Sequence, residues 1–245
     1  MYKFIEPFGL NINANSIGEA WLDLVSAILN NGDKTYDEGR LRLSLQNLRI
    51  RIENPETEDE IIRKYGDKEK VDAIIYLTFR GEEMYDFDVV PSFSPGARSY
   101  YSRLKEGRMD QYVVKRLSNI PESKKGVISF IHWDDYVSVL DTPYDDYLPC
   151  LTTIQFRLIE SDEKYDLNVI FNARSIDAFQ KVYGNLIAIT MLANKIASQI
   201  ELNVGKKINF RSLDGMITDA HIYNECVVEA KEVLSDYNKN ELHNK

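Results

Sequence analysis

The chain has 245 residues, of which 44% are hydrophobic, 28% charged and 11% aromatic, with a net charge of -9. That suits a globular fold with a sizeable core, and the longest apolar run, 186–193 broken only by Thr190, is far too short to span a bilayer. Two cysteines exclude a disulfide framework and point to a reducing cytoplasm, three scattered histidines leave no zinc-type spacing, and the acidic balance counts against a nucleic acid polymer while leaving room for a small anion in a basic pocket.

Residues 1–16 mix acidic and amide side chains with apolar ones, unlike a signal peptide. From Ile17 to Ile28 apolar residues recur at helical spacing, with Ser16 placed as N-cap and Gly32 where the helix should stop. The polar stretch 53–70 reads as a surface excursion and 72–79 as a buried strand. Residues 109–117 predict an amphipathic helix, Pro121 the loop beyond it, and 127–133 another strand. Then 151–158 and 167–171 predict two strands joined by the polar turn 160–164. Residues 186–200 are apolar almost all round, as expected of a central buried helix. A short strand over 207–211 and a final helix over 222–234 precede a polar tail expected to fray. No repeat, low-complexity tract or linker interrupts this order. Strands and helices arrive mixed and with hairpins, which predicts α+β rather than a regularly alternating sheet.

Four stretches gain meaning when read together. They are Leu148-Pro149-Cys150 with Gln155-Phe156; Arg174-Ser175-Ile176-Asp177 with Asn185 eleven residues after the arginine; Asp219 to Tyr223, containing His221; and, upstream, Asp110-Gln111 followed by Pro121 to Lys125. In this order and at these spacings they resemble the thymidylate synthase family, including its pyrimidine nucleotide hydroxymethylases, in a short, archaeal-like form. The resemblance runs over 101–223, and the stretch up to about residue 95 carries little of it. It implies one domain over 1–245, with a mixed sheet packed by helices and a homodimer formed through the sheet. It also implies 5,10-methylenetetrahydrofolate as co-substrate, a pyrimidine nucleoside monophosphate as substrate, and no metal.

The chemistry of the residues agrees. A pyrimidine C5 is a poor nucleophile until something adds to C6, and a thiolate is the natural soft nucleophile for that addition. Cys150 is the one candidate the resemblance selects; alone it would read as a packed core cysteine. Arg174 is a permanent cation able to serve both a thiolate and a phosphate. By resemblance Arg174 and Ser175 form the phosphate clamp, and Lys124 and Lys125 reach the same phosphate from the other subunit, where most members have two arginines; otherwise the lysines are a solvated turn. Asn185 is implied as the base reader, because a carboxamide offers a donor and an acceptor to uracil O4 and N3–H. The plain alternative is an N-cap for the helix from Leu186. Asp177 is implied between base and folate, or is a turn residue. His221 and Tyr223 are implied at the ribose 3'-hydroxyl, or are half-buried structural residues. Tyr101 is implied as the active-site tyrosine, with Tyr100 an equal alignment, and Arg40 or Arg42 as a mobile phosphate ligand.

Several positions depart from the common synthases. Leu151 stands where they have histidine, and Ala173 where they have glutamine. The segment Tyr76 to Gly81 only faintly echoes their Trp-Phe-Leu-x-Gly motif, and Glu69 and Asp72 are nearby acids without a register for the catalytic glutamate. The expected reaction is therefore C5 methylation of deoxyuridylate, with hydroxymethylation of a uracil or cytosine nucleotide as one alternative. A non-catalytic nucleotide binder and a structural dimeric module are the others.

Overall fold

Apolar residues at every second position of 9–14 and 48–52 give strands with one buried face, and Leu10, Ile12, Leu48, Ile50 and Ile52 are all buried. In the computed structural model, which describes residues 2–5, 9–87, 97–141 and 147–243, these strands belong to one mixed sheet. Its strands are β1 (Tyr2–Ile5), β2 (Gly9–Ala14), β3 (Asp33–Asp37), β4 (Arg40–Ile52), β5 (Val127–Ser129), β6 (Leu151–Ser161), β7 (Lys164–Ala173), β8 (Ile176–Asp177) and β9 (Lys207–Tyr223). The spatial order is β1-β2-β4-β9-β7-β6-β5, with β3 paired to β4 and β8 to β9. The β2–β4, β7–β9 and β8–β9 pairs are parallel and the others antiparallel.

The helices are α1 (Ile17–Asn31), α2 (Glu60–Tyr65), α3 (Lys68–Phe79), α4 (Tyr100–Gly107), α5 (Met109–Asn119), α6 (Trp133–Asp141), α7 (Val182–Val204) and α8 (Val227–His243). One apolar cluster joins the inner strand residues to α1 and α7. Ser16 caps α1 by accepting from the Glu19 N–H at 3.3 Å, and Gly32 ends the helix, as its sequence predicts. Trp21 of α1 stacks on Tyr183 of α7 with ring centroids 4.5 Å apart, and the Tyr183 hydroxyl accepts the Asp67 N–H. Gly184 lets α3 close on α7: a methyl group there would lie 2.6 Å from Ile74 Cδ1. These contacts set the distance between two helices that line the site described below.

The opposite face of the sheet carries no helix among the described residues. Arg49 and Met216 are exposed there, and Asn11, Asn168, Ile170 and Asp214 only partly covered.

Four elements differ from their sequence expectation. Residues 72–79 are helix, not strand: Asp67 accepts from the Glu69 and Lys70 N–H groups to start α3, and Ala73, Ile74, Leu77 and Thr78 form its buried face. The apolar composition of that stretch is common to both states, but the 3, 4 spacing is helical. The strand at 127–133 stops at Ser129, and Trp133 opens α6. The strand at 207 runs on to Tyr223, because Asp214 to Tyr223 stay paired with β4 through polar as well as apolar positions. For the same reason the last α-helix begins at Val227 rather than Ile222. The α+β class, α1, α5, the β6–β7 hairpin and the buried α7 follow the sequence.

Candidate active site

Cys150 sits directly before β6, behind the buried Pro149. Its surroundings are fixed by backbone and guanidinium hydrogen bonds. The Arg174 N–H donates to the Cys150 carbonyl at 2.9 Å, and the Arg174 side chain donates from Nε to Pro149 O at 3.2 Å and from Nη2 to Leu148 O at 2.7 Å. Two of its five donors thus staple the 148–150 segment, and the rest remain for another acceptor on its exposed side.

Cys150 opens onto a cavity bounded by α3, α4 and α7. Asn185 and Lys181 of α7 line it, as do Tyr100 from the start of α4 and Tyr147. Its apolar wall is Ile74 and Leu77 of α3 with Met84 and Phe87. The Tyr100 hydroxyl accepts from the Leu151 N–H at 3.0 Å, and its own proton has no acceptor among the described residues. Burial first, then the charges of Tyr147 and Cys150, push Tyr100 well above the ordinary phenol value, so it stays protonated. Tyr147 is pushed up in the same way, by burial and then by Cys150. Asn185 is 8% exposed, and its carboxamide makes no hydrogen bond among the described residues. It is not an N-cap: α7 begins at Val182, so Asn185 lies inside the first turn, its N–H donating to Lys181 O at 3.0 Å.

A second cluster adjoins through Arg174. Ser175 Oγ and His221 Nδ1 are 3.3 Å apart, and His221 Nδ1 is 3.4 Å from Asp219 Oδ1. Arg42 holds Asp219 with two bonds, at 2.9 and 3.3 Å, and the Tyr223 hydroxyl donates to Asp37 at 3.1 Å. Burial opposes ionisation of Asp219, but the His221 hydrogen bond and the Arg42 charge outweigh it and hold the carboxyl below its ordinary value. The long reach of β9 explains this grouping, since it carries Asp219, His221 and Tyr223 beside Arg42 and Ser44 of β4 and beside β8.

Other residues singled out from the sequence fall elsewhere. Tyr101 lines a separate cleft with Lys105, whose ammonium lies 5.7 Å from its ring centre; Tyr100 is the tyrosine on the Cys150 cavity. The Asp177 carboxylate is 6% exposed and committed to a local turn, accepting from the Phe179 and Gln180 N–H groups and from Gln180 Nε2. Lys124 and Lys125 lie exposed in the α5–β5 turn, outside both clusters. Arg42 is locked in its ion pair, and Arg40 is exposed beside the β3–β4 turn. Glu69 and Asp72 are exposed on α3, and no acid lines the cavity among the described residues. Lys181 and Tyr147 are cavity residues that the motifs did not single out. For Lys181 a signal existed: it stands four residues before Asn185, one helical turn away on the same face.

Residues 80–243 match the thymidylate synthase family, and the chain belongs to it. Two archaeal relatives are provisionally named thymidylate synthases. The chain is 28% identical to that of Methanothermobacter marburgensis over 240 residues, covering 92% of this chain and 98% of the relative. It is 25% identical to that of Methanothermobacter thermautotrophicus, covering 91% and 98%. It is also 32% identical to the thymidylate synthase of Corynebacterium aurimucosum over 137 residues, 54% of this chain and 45% of that one. The archaeal matches thus extend well into the leader, beyond the 101–223 stretch that carries the motifs. No helix among the described residues is long and apolar enough to cross a membrane.

Proposed function

We propose that this protein transfers a one-carbon unit to C5 of a uracil mononucleotide, converting deoxyuridylate to thymidylate through a bond between Cys150 Sγ and C6 of the base. The observation that carries the reading is the convergence on one cavity of a cysteine, a carboxamide that makes no hydrogen bond among the described residues, and a protonated phenol. Family membership supplies the reaction class.

Each residue then has a task. Cys150 adds to C6 and makes C5 nucleophilic. Asn185 pairs its amide with O4 and its carbonyl with N3–H. Tyr100, rather than its neighbour, presents a proton-bearing hydroxyl on the cavity side and serves removal of the C5 hydrogen. The free donors of Arg174 and the Ser175 hydroxyl hold the phosphate, and His221 and Tyr223 stand at the 3'-hydroxyl end. Methylenetetrahydrofolate, the co-substrate, supplies the one-carbon unit and the reducing hydride. The wall of Leu77, Met84 and Phe87 fits a flat ring lying against it. Asp177 acts by fixing the turn that leads into α7, its carboxylate being used there. The uncovered sheet face is the surface through which two such domains pair, bringing Lys124 and Lys125 of one protomer to the phosphate of the other.

The test is trapping of the covalent complex. A C5 fluorine cannot leave as a cation, so 5-fluorodeoxyuridylate with methylenetetrahydrofolate should stall on the enzyme. Intact-mass analysis is expected to show one adduct on Cys150, absent in Cys150→Ala. Nucleotide binding without any adduct would overturn the catalytic reading.

A further inference from the structure

A chain of polar side chains runs from the second cluster of the site to the wall of the first. The buried Asp177 carboxylate accepts the Phe179 and Gln180 N–H groups on Oδ1, at 3.0 and 2.9 Å, and Gln180 Nε2 on Oδ2 at 2.9 Å. The other end of that buried amide, Gln180 Oε1, accepts from Lys70 Nζ of α3 at 3.2 Å. Asp67, which caps α3, lies 3.9 Å from the same ammonium. An amide between a carboxylate and an ammonium has one useful orientation, its NH2 toward the anion and its oxygen toward the cation, so each bond polarises the next.

Both ends of the chain reach parts of the site. Asp177 pairs with His221 between β8 and β9, and the Ala178 N–H donates to His221 O at 2.8 Å. Asp177 O accepts the Lys181 N–H at 3.3 Å, at the turn from which α7 carries Asn185 to the Cys150 cavity. Lys70 stands one helical turn before Ile74 and two before Leu77, the α3 side chains of the cavity wall. Neither Lys70 nor Gln180 lines the cavity.

Resting on the uracil-nucleotide reading above, we propose that Lys70 and Gln180 are positioning residues that set the span between the sugar-phosphate cluster, at Ser175 and His221, and the base reader Asn185. At the right span a mononucleotide engages both clusters at once, and the second contact costs little further freedom once the first is made. With the turn displaced, each cluster still meets its own part of the ligand, but the two no longer act together.

Lys70→Met keeps the stem and removes the charge, Lys70→Arg keeps a donor for Gln180 Oε1, and Gln180→Glu sets a second carboxylate against Asp177. Melting temperatures identify the variants that fold. Titration calorimetry compares deoxyuridylate with deoxyuridine, which lacks the phosphate, and tritium release from C5 gives kcat. Wild type is expected to bind the nucleotide far more tightly than the nucleoside. In Lys70→Met and Gln180→Glu that ratio should fall at least about tenfold and kcat by a similar factor, with deoxyuridine affinity changed by no more than about twofold and Lys70→Arg close to wild type. An unchanged ratio in a folded Lys70→Met, or an equal loss for nucleoside and nucleotide, would overturn the positioning role and leave the uracil-nucleotide reading standing. If wild type binds neither ligand, the reading of the whole site fails and this inference fails with it.

Discussion

Asn185 shows how a single side chain sets what a site accepts. Its carboxamide is almost fully buried, has no protein hydrogen bond among the described residues, and faces the same cavity as Cys150. A ligand that seals this cavity must pair the carboxamide's donor and acceptor, because an amide left buried and unpaired by the ligand costs about 1–3 kcal/mol. Asn185→Asp replaces the donor by an acceptor and should turn the preference from uracil toward cytosine nucleotides, whose 4-amino group can donate to it. Competitive binding of the two nucleotides checks this; an unchanged preference would remove Asn185 from base recognition. At this scale the sequence was informative where a motif carries its own spacing: Cys150, Arg174, Ser175, Asn185, His221 and Tyr223 fall into two adjoining clusters. It failed where adjacent residues compete. Tyr100 and Tyr101 are neighbours on one helix and point about 100° apart, so linear spacing could not say which one meets the cavity. Lys181 was legible only once Asn185 was known to lie within a helix rather than at its start.

The elements around the site are tied by one buried ion pair. Arg103 of α4 donates to both carboxylate oxygens of Asp135 on α6, at 2.9 and 2.7 Å, and to Phe130 O at 2.7 Å. Both side chains are nearly inaccessible, at 5% and 4% exposure. Asp135→Ala would strand a buried guanidinium and should cost about 3–5 kcal/mol in chemical denaturation. Burial is the largest influence and works against the Asp135 charge. The hydrogen bonds from Arg103 and the His132 N–H, together with the Arg103 and Arg98 charges, outweigh it and keep its carboxyl below the ordinary aspartate value of 3.8. Its contribution to stability is therefore complete above that value and is lost as pH falls through the lower, folded one. Wild type should lose this increment on acidification below about pH 4, whereas Asp135→Asn should show no such step. Periodicity located α1, α5 and α7 because their apolar faces are long and clean. It misassigned α3, whose apolar density resembles a buried strand although its 3, 4 spacing and the Asp67 cap are both helical. It also stopped β9 too early, since a strand with one uncovered face alternates in polar residues that resemble a loop.

For the molecule as a whole, the sheet face that carries no helix among the described residues is the one through which the proposed dimer would pair. A sheet face holding Met216 and Ile170 among arginines and asparagines is suited to a second copy of itself, related by a two-fold axis. Sedimentation equilibrium should give a dimer, and a charge placed at Ile170, as Ile170→Glu, should yield monomers that lose phosphate affinity because Lys124 and Lys125 no longer reach the partner. A wild-type monomer with full activity would refute that arrangement. The α+β class was legible from element order alone. The first 52 residues were mostly not, because β3 and β4 are rich in charged and polar side chains and acquire their meaning by pairing with β9, far away in sequence.

The measurement that bears most directly on the central claim is release of tritium from C5 of deoxyuridylate in the presence of methylenetetrahydrofolate, with dihydrofolate followed by absorbance in the same sample. Equal amounts of tritium and dihydrofolate are expected, with at least about a thousandfold loss in Cys150→Ala. Tritium without dihydrofolate would make the enzyme a hydroxymethylase. No release from nucleotide-bound protein, or release undiminished in Cys150→Ala, would contradict catalysis through Cys150.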